Sequence, residues 1–298
     1  MNLNSLRVFY HVATKRSFSL AAQSLFITQP AVSKSIRELE NQTGLALLER
    51  AAKGKVIRLT EPGQVLYAHA KEVFAIEKAA EEALKARAGL TQGKLTLGAS
   101  STVANYWLTQ YMAEFTRQHP DISLELIVGN SADVENALAH CHIDIGFIEG
   151  ECTRPDIHAK NWLNEPMVLI NAAKTNWTSI SAQQLNNATW LLRERGSGTR
   201  SVVDNYFLQH GLKPQNSIIF GSNESIVNGV ANGLGIAIVP QVVAESLIKI
   251  GQITPLTVPP QWLPKVRPLF SLTFKGRPLS PSATSFLAQI QGKTNNQD

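Results

Sequence analysis

Arg193-Glu194-Arg195-Gly196-Ser197-Gly198-Thr199-Arg200 packs three arginines, two glycines and two hydroxyls into one short run. It follows an apolar stretch that reads as a strand and precedes one that reads as a helix. Backbone N–H groups, hydroxyls and guanidinium donors can therefore converge there on an anion. Ala99-Ser100-Ser101-Thr102 is a second hydroxyl cluster at a strand-to-helix junction, Asn223-Glu224 opens a third helix, and Glu149 follows a strand. Ligands of open α/β sheets sit beyond the carboxyl ends of strands, near helix N-termini. Ser100, Ser101, Thr102, Glu149, Arg193, Glu194, Gly196, Ser197, Gly198, Thr199, Asn223 and Glu224 are accordingly the candidates for a small-molecule site. The plainer reading makes Ser100 and Ser197 helix caps and the arginines surface ion pairs.

A different chemistry lies near the N-terminus, in the segment from Ser17 to Ser33. A short helix containing Ala21-Ala22 can lie close against a second one across a three-residue turn. The second helix then presents Gln29, Ser33, Lys34 and Arg37 to the major groove of DNA. Gln suits adenine, while Lys and Arg suit guanine edges or phosphates. Ser17 and Thr28 can meet phosphate, and Pro30 sits in the first turn, where a missing N–H costs nothing. A following hairpin, Ala51-Ala52-Lys53-Gly54-Lys55, reads as a wing whose Arg50 and Lys53 touch the backbone of the duplex.

Other chemistry-bearing residues carry less. His140-Cys141-His142 are consecutive, and neighbours on one strand or helix do not converge on one ion, so no metal is expected. Cys141 and Cys152 show no feature that lowers a thiol pKa. Gly229-x-x-x-Gly233-x-Gly235 has the wrong spacing for a dinucleotide fingerprint. No Walker loop, nucleophile elbow or H-E-x-x-H helix is present, so neither a cofactor nor an enzymatic activity is expected.

The elements that must position these groups follow from patterning. Helical periodicity predicts Leu3–Lys15, Ser19–Leu25 and Pro30–Thr43, with Ser19 and Thr28 as N-caps and Gly44 as the stop. A long helix follows from Glu61 to Ala88. Its line of Leu66, Ala70, Val73, Glu77, Ala80, Leu84 and Arg87 resembles a dimerising coiled-coil seam. Beyond Gly93 strands and helices alternate, which favours an open, mostly parallel sheet; Lys293 to Asp298 reads as disordered. The 298 residues carry a net charge of +5, and residues 1–58 alone hold nine Lys/Arg against three acids. All the excess positive charge thus lies in the first fifth of the chain, where a polyanion is to be met. Two cysteines, no run of eighteen apolar residues, and an unremarkable Met1–Tyr10 point to the cytoplasm, with no membrane partner.

Residues 1–63 resemble the N-terminus of a LysR-type transcriptional regulator. The matching residues are Leu6-x-x-Phe9, Ser17-Phe18-Ser19-x-Ala21-Ala22, Thr28-Gln29-Pro30-Ala31-Val32-Ser33, Ile36-x-x-Leu39-Glu40, Gly44, Leu47-Leu48-x-Arg50 and Leu59-Thr60-x-x-Gly63. Leu48 departs from the more usual Phe, and the wing is short of arginine. Arg193–Arg200, Asn223-Glu224-Ser225-Ile226 and Gly233–Pro240 resemble the branch containing regulators of carbon fixation and sulfur assimilation.

The resemblance implies an α/β protein overall, with three parts. These are a winged helix-turn-helix over 1–60, a linker helix over 61–90, and a periplasmic-binding-protein-like module over 91–298. That module divides into α/β subdomains at about 91–163 plus 267–298 and about 164–266. It also implies a homodimer or homotetramer on two DNA half-sites, a small anionic effector in the cleft, and contact with RNA polymerase at the promoter. Three rivals remain open: a solute-binding protein, an enzyme of the same architecture, and a DNA-binding factor whose cleft no longer senses anything.

Overall fold

The computed structural model describes residues 1–49, 57–87, 93–175 and 180–294, in two compact units, Met1–Leu84 and Lys85–Asp298. In the first unit α1 spans Leu3–Lys15, opened by Asn2, whose side chain accepts from Ser5 N. Helix α2 spans Phe18–Ser24 and α3 Gln29–Thr43. The cap of α2 is Ser17, accepting from Leu20 N, and not Ser19 as periodicity indicated. Ser17 has extended backbone angles, so its hydroxyl can reach back to the first turn, whereas Ser19 is already inside the helix. Thr28 caps α3, and Gly44 ends it in a left-handed conformation.

Leu6, Phe9, Val12, Ala21, Val32, Ile36 and Leu39 meet in the core of this unit. Each large apolar side chain buried in this way contributes roughly 1.5–3 kcal/mol. Beyond α3 the chain forms two short antiparallel stretches, with Leu48 bridged to Leu59 and Glu49 N donating to Arg58 O. Glu40 Oε1 holds the first stretch by accepting from Leu47 N and Leu48 N. Helix α4, Glu61–Arg87, divides its expected seam. Leu66 and Ala70 pack into the core of their own unit with Tyr67 and Phe74, and Glu77 accepts from Arg7. Val65, Val73, Ile76 and Leu84 remain exposed.

In the second unit a five-stranded sheet has the order β2-β1-β3-β10-β4. Its strands are β1 (Gly93–Ser100), β2 (Ile122–Gly129), β3 (Ile145–Glu149), β4 (Ile157–Glu165) and β10 (Arg267–Phe274). The other strands are β5 (Met167–Ala172), β6 (Thr189–Arg193), β7 (Asn216–Phe220), β8 (Ala237–Pro240) and β9 (Ile253–Pro255). They form the sheet β8-β5-β9 and the pair β6-β7, and a bridge from Trp190 to Ile236 joins the two. The helices are α5 (Thr109–Gln118), α6 (Ser131–Ala139), α7 (Ala182–Asn187), α8 (Gly198–Gln209), α9 (Asn223–Ala231), α10 (Gln241–Lys249) and α11 (Pro281–Thr294). Lys293 and Thr294 are thus helical, and the rest of the expected disordered tail lies outside the described residues.

The expectation of a mostly parallel sheet needs correction. β1 runs parallel to β2 and β3, and β6 to β7, but β10 is antiparallel to β3 and β4, and β5 to β8 and β9. The chain leaves the first sheet through β4 and returns through β10, and a returning strand can run against its neighbours. β4 escaped the sequence reading because its pairing with β10 shifts register between Leu269 and Phe270, which breaks the period-two alternation around Trp162. Ahead of α5, Val103–Leu108 forms a π-helical stretch rather than a regular helix. Such wide turns re-aim side chains at functional sites.

Candidate functional site

Helix α3 turns Val32, Ile36 and Leu39 into the core and leaves Gln29, Pro30, Lys34 and Arg37 exposed on the opposite face. Ser33 is half-buried on the same side, one turn from Gln29 and Arg37. Ser17 and Thr28 stand at the two helix starts, each satisfying a backbone N–H. Ser19 Oγ donates to Gln29 Oε1 at 3.3 Å, which orients the amide at the tip of the helix. Lys34 Nζ lies 3.8 Å from Glu38, an exposed pair that leaves the ammonium free to rearrange. Arg50 and Lys53, the proposed wing contacts, lie outside the described residues.

The second site lies where the two sheet systems of the C-terminal unit meet. Asn223, the first residue of α9, donates to Thr102 Oγ1 at 2.8 Å and to Thr199 Oγ1 at 3.1 Å. Asn105 Nδ2 reaches Glu224 Oε1 at 3.2 Å across the same junction. Burial, followed by the nearby Glu224 carboxylate, pushes the Tyr106 hydroxyl above its ordinary pKa. Gly198 sits against the end of β3, where a Cβ built on it would be 2.0 Å from Glu149 O. On the other side Gly150 has a positive φ of +80° and faces Gly198 in turn. Only glycines allow the start of α8 to approach so closely.

The 193–200 run closes the junction from its far side. Gly196 O accepts from Ala132 N, and Asn130 Nδ2 reaches Glu194 Oε1 at 3.4 Å. Arg193 Nε and Nη2 grip the Glu194 carboxylate at 2.8 Å each. Burial opposes ionisation of Glu194, but this fork and the Asn130 contact together hold its carboxyl below the usual range. Arg200 pairs with Asp204 and donates to Arg193 O, while Arg195 is exposed.

Sequence reasoning missed the pair at the base of the site. Arg267 opens β10 and Glu165 ends β4, both fully buried. Arg267 Nε and Nη2 donate to Glu165 Oε2 at 2.7 and 2.5 Å, and Trp107 Nε1 donates to Glu165 Oε1 at 2.6 Å. Arg267 Nη1 donates to Thr199 Oγ1 at 2.6 Å and lies 3.5 Å from Glu149 Oε1. The available signal was topological: the two chain crossings expected near 164 and 267 bring those positions together.

Eight buried side-chain polar atoms among the described residues have no hydrogen-bond partner. Six belong to residues named from the sequence: Ser100 Oγ, Ser101 Oγ, Glu149 Oε2, Arg193 Nη1, Ser197 Oγ and Asn223 Oδ1. Capping does not explain Ser197, which precedes α8 without a side-chain cap bond. Buried polar groups are ordinarily satisfied, so such a concentration marks a place built to bind something. The cysteines stand apart, neither joined in a disulfide, and burial pushes the Cys152 thiol up, with Glu135 and Asp156 adding to the effect. Among the described residues no group of three or more His, Cys, Asp or Glu side chains is placed to hold a metal ion, and no helix is long and apolar enough to cross a membrane.

A helix-turn-helix unit joined to an α/β unit with an unsatisfied polar junction defines a DNA-binding protein that takes a small ligand. Residues 3–64 match the bacterial regulatory helix-turn-helix model of the lysR family, and residues 88–295 match the LysR substrate binding domain. The chain belongs to the LysR family of transcriptional regulators, which are not enzymes. It is 34% identical to the HTH-type transcriptional regulator YeiE of Escherichia coli (strain K12), over 96% of each chain. It is 30% identical to the RuBisCO operon transcriptional regulator of Allochromatium vinosum, over 96% of this chain and 94% of that one. Full-length OxyR from Pseudomonas aeruginosa shares the fold, with a TM-score of 0.77 at 22% identity, covering 99% of this chain and 95% of that one. The regulatory domain of Synechocystis PCC6803 CcmR in complex with 2-PG has a TM-score of 0.59 at 26% identity, covering 69% of this chain and 99% of that one.

Proposed function

We propose that this regulator binds two DNA half-sites as a homodimer or homotetramer and is switched by a small anion held at the Ser100–Thr199–Asn223 junction. The six unsatisfied buried polar atoms carry the reading, because four of them, three serine hydroxyls and Arg193 Nη1, can donate to an acceptor-rich ligand. The CcmR regulatory domain in complex with 2-PG supports a small-molecule site in a similar fold. Effector residues are Ser100, Ser101, Thr102, Glu149, Arg193, Glu194, Asn223, Glu224 and the Gly196–Thr199 turn. DNA contacts come from Ser17, Thr28, Gln29, Pro30, Ser33, Lys34 and Arg37, with Arg50 and Lys53 on the wing. The same reading divides the chain at 60 and 90, near the ends of α4 at Glu61 and Arg87, and at 163 and 267, near the strand ends at Glu165 and Arg267. The exposed line of Val65, Val73, Ile76 and Leu84 on α4 gives a second copy an apolar face to cover. RNA polymerase at the promoter and a cytoplasmic setting belong to the same proposal.

Thermal melting of the purified protein against small anions tests the effector. The panel comprises sulfite, sulfate, thiosulfate, phosphate, phosphoglycolate and common carboxylates. An anion at a hundred times its Kd stabilises by about 2.7 kcal/mol, and Ser100→Ala should abolish the shift. A flat panel would remove the anion from the proposal. For the DNA face, Gln29→Ala should cost about 1–3 kcal/mol at one operator position and relax its base preference. Arg37→Ala should weaken all sequences more evenly and flatten the salt dependence. Unchanged affinity and preference in Gln29→Ala would place the recognition helix elsewhere.

A further inference from the structure

Resting on that reading, we infer that the effector is a compact oxyanion carrying an O–H group, and that Glu149 reads that hydrogen. The unsatisfied atoms at the junction are of two kinds. Ser100, Ser101, Ser197 and Arg193 Nη1 offer hydrogens, whereas Glu149 Oε2 and Asn223 Oδ1 can only accept them. Glu149 is 1% exposed, and its other oxygen faces Arg267, which is already committed to Glu165 and Thr199. Asn223 spends both observed donor contacts on Thr102 and Thr199, leaving Oδ1 open.

The charge balance leads to the same ligand. Around the junction Arg193 pairs with Glu194 and Arg267 with Glu165 and Glu149, while a fourth carboxylate, Glu224, accepts from the neutral amide of Asn105. Net positive charge therefore does not hold an anion here; directed hydrogen bonds do. An anion with lone pairs alone satisfies the serines and Arg193 but sets its oxygens against Glu149 Oε2, where repulsion is strong in a buried site. One O–H on the ligand converts that repulsion into a charge-assisted hydrogen bond. The fitting chemistry has two sources: a singly protonated inorganic oxyanion or a hydroxycarboxylate.

Two matched pairs of probes separate the possibilities in the full-length protein. Phosphate and sulfate share a tetrahedral shape, but near neutral pH only phosphate keeps a hydrogen. Glycolate and acetate share a carboxylate, and only glycolate has a hydroxyl. Kd values from calorimetry should favour the O–H member of at least one pair by at least ~100-fold, and the pair that does so names the source. Glu149→Gln supplies an amide donor in place of the acceptor and should shrink that preference at least tenfold. Ser100→Ala should weaken both members of a pair alike. Equal binding of both members in each pair overturns the O–H requirement while leaving an anionic effector standing. Binding of no anion in the panel overturns both. A preference that survives in a folded, DNA-binding Glu149→Gln protein removes Glu149 from the role, and if that variant misfolds the wild-type pairs decide by themselves.

Discussion

Arg267→Met should destabilise the C-terminal unit by about 3–5 kcal/mol, a fall in Tm of roughly 6–20 °C. The guanidinium is fully buried and donates to Glu165 and Thr199 while facing Glu149. Methionine fills most of its volume, so the loss reports electrostatics rather than a cavity. Two carboxylates would remain in a dry interior with no cation, since Trp107 Nε1 is the only other donor the structure places on Glu165 among the described residues. Adding Glu165→Gln to Arg267→Met should restore part of the stability, with a coupling of about 0.5–3 kcal/mol. Urea or thermal unfolding of Arg267→Met, Glu165→Gln and the double variant checks this. Melting of Arg267→Met within about 1 kcal/mol of the wild type would mean that the buried pair does not hold the two strands together.

Gly198→Ala should leave operator binding intact and reduce effector affinity by at least ~100-fold. Helix propensity alone predicts the opposite of damage, because alanine is better than glycine in a helix by about 1 kcal/mol. Geometry overrides it. The new Cβ would meet Glu149 O at 2.0 Å and Glu149 Cγ at 2.6 Å. A main-chain oxygen in a sheet cannot step aside, so the start of α8 must retreat by roughly 1 Å. Thr199 is then drawn away from Asn223 and Arg267, and Ser197 moves with it out of the junction. The DNA-binding residues lie in the separate Met1–Leu84 unit and keep their packing. Melting with and without the stabilising anion, beside gel-shift titrations on operator DNA, separates the two effects. A full anion response in Gly198→Ala would show that the close approach is not needed.

The DNA-binding unit was legible because its rules are local. Thr28, Pro30 and Gly44 mark the ends of α3, and its buried and exposed faces follow from a period of 3.6 residues. The misplacement of the α2 cap from Ser17 to Ser19 is a boundary error of the usual kind, where two serines compete for one turn. Along α4 the period was right, and the expected seam is shared between two uses: Val73 and Leu84 stay exposed, as a face for a second copy requires. Leu66 and Ala70 serve the core of their own unit, a choice made by whichever apolar surface lies within reach.

For the C-terminal unit the sequence by itself determined the alternation of strands and helices and the polar residues at strand ends. Those positions depend on a few neighbouring residues: hydroxyls and glycines where a strand hands over to a helix. Which of them meet was decided only by tertiary structure. Asn223 touches Thr102 across 121 positions, and Arg267 touches Glu165 across 102. Such pairings arise because the chain crosses between its sheets twice and closes β10 antiparallel between β3 and β4. A single arginine ahead of an apolar strand has no local pattern to mark it. Its burial and its two carboxylates are consequences of long-range topology, which no short window of sequence contains.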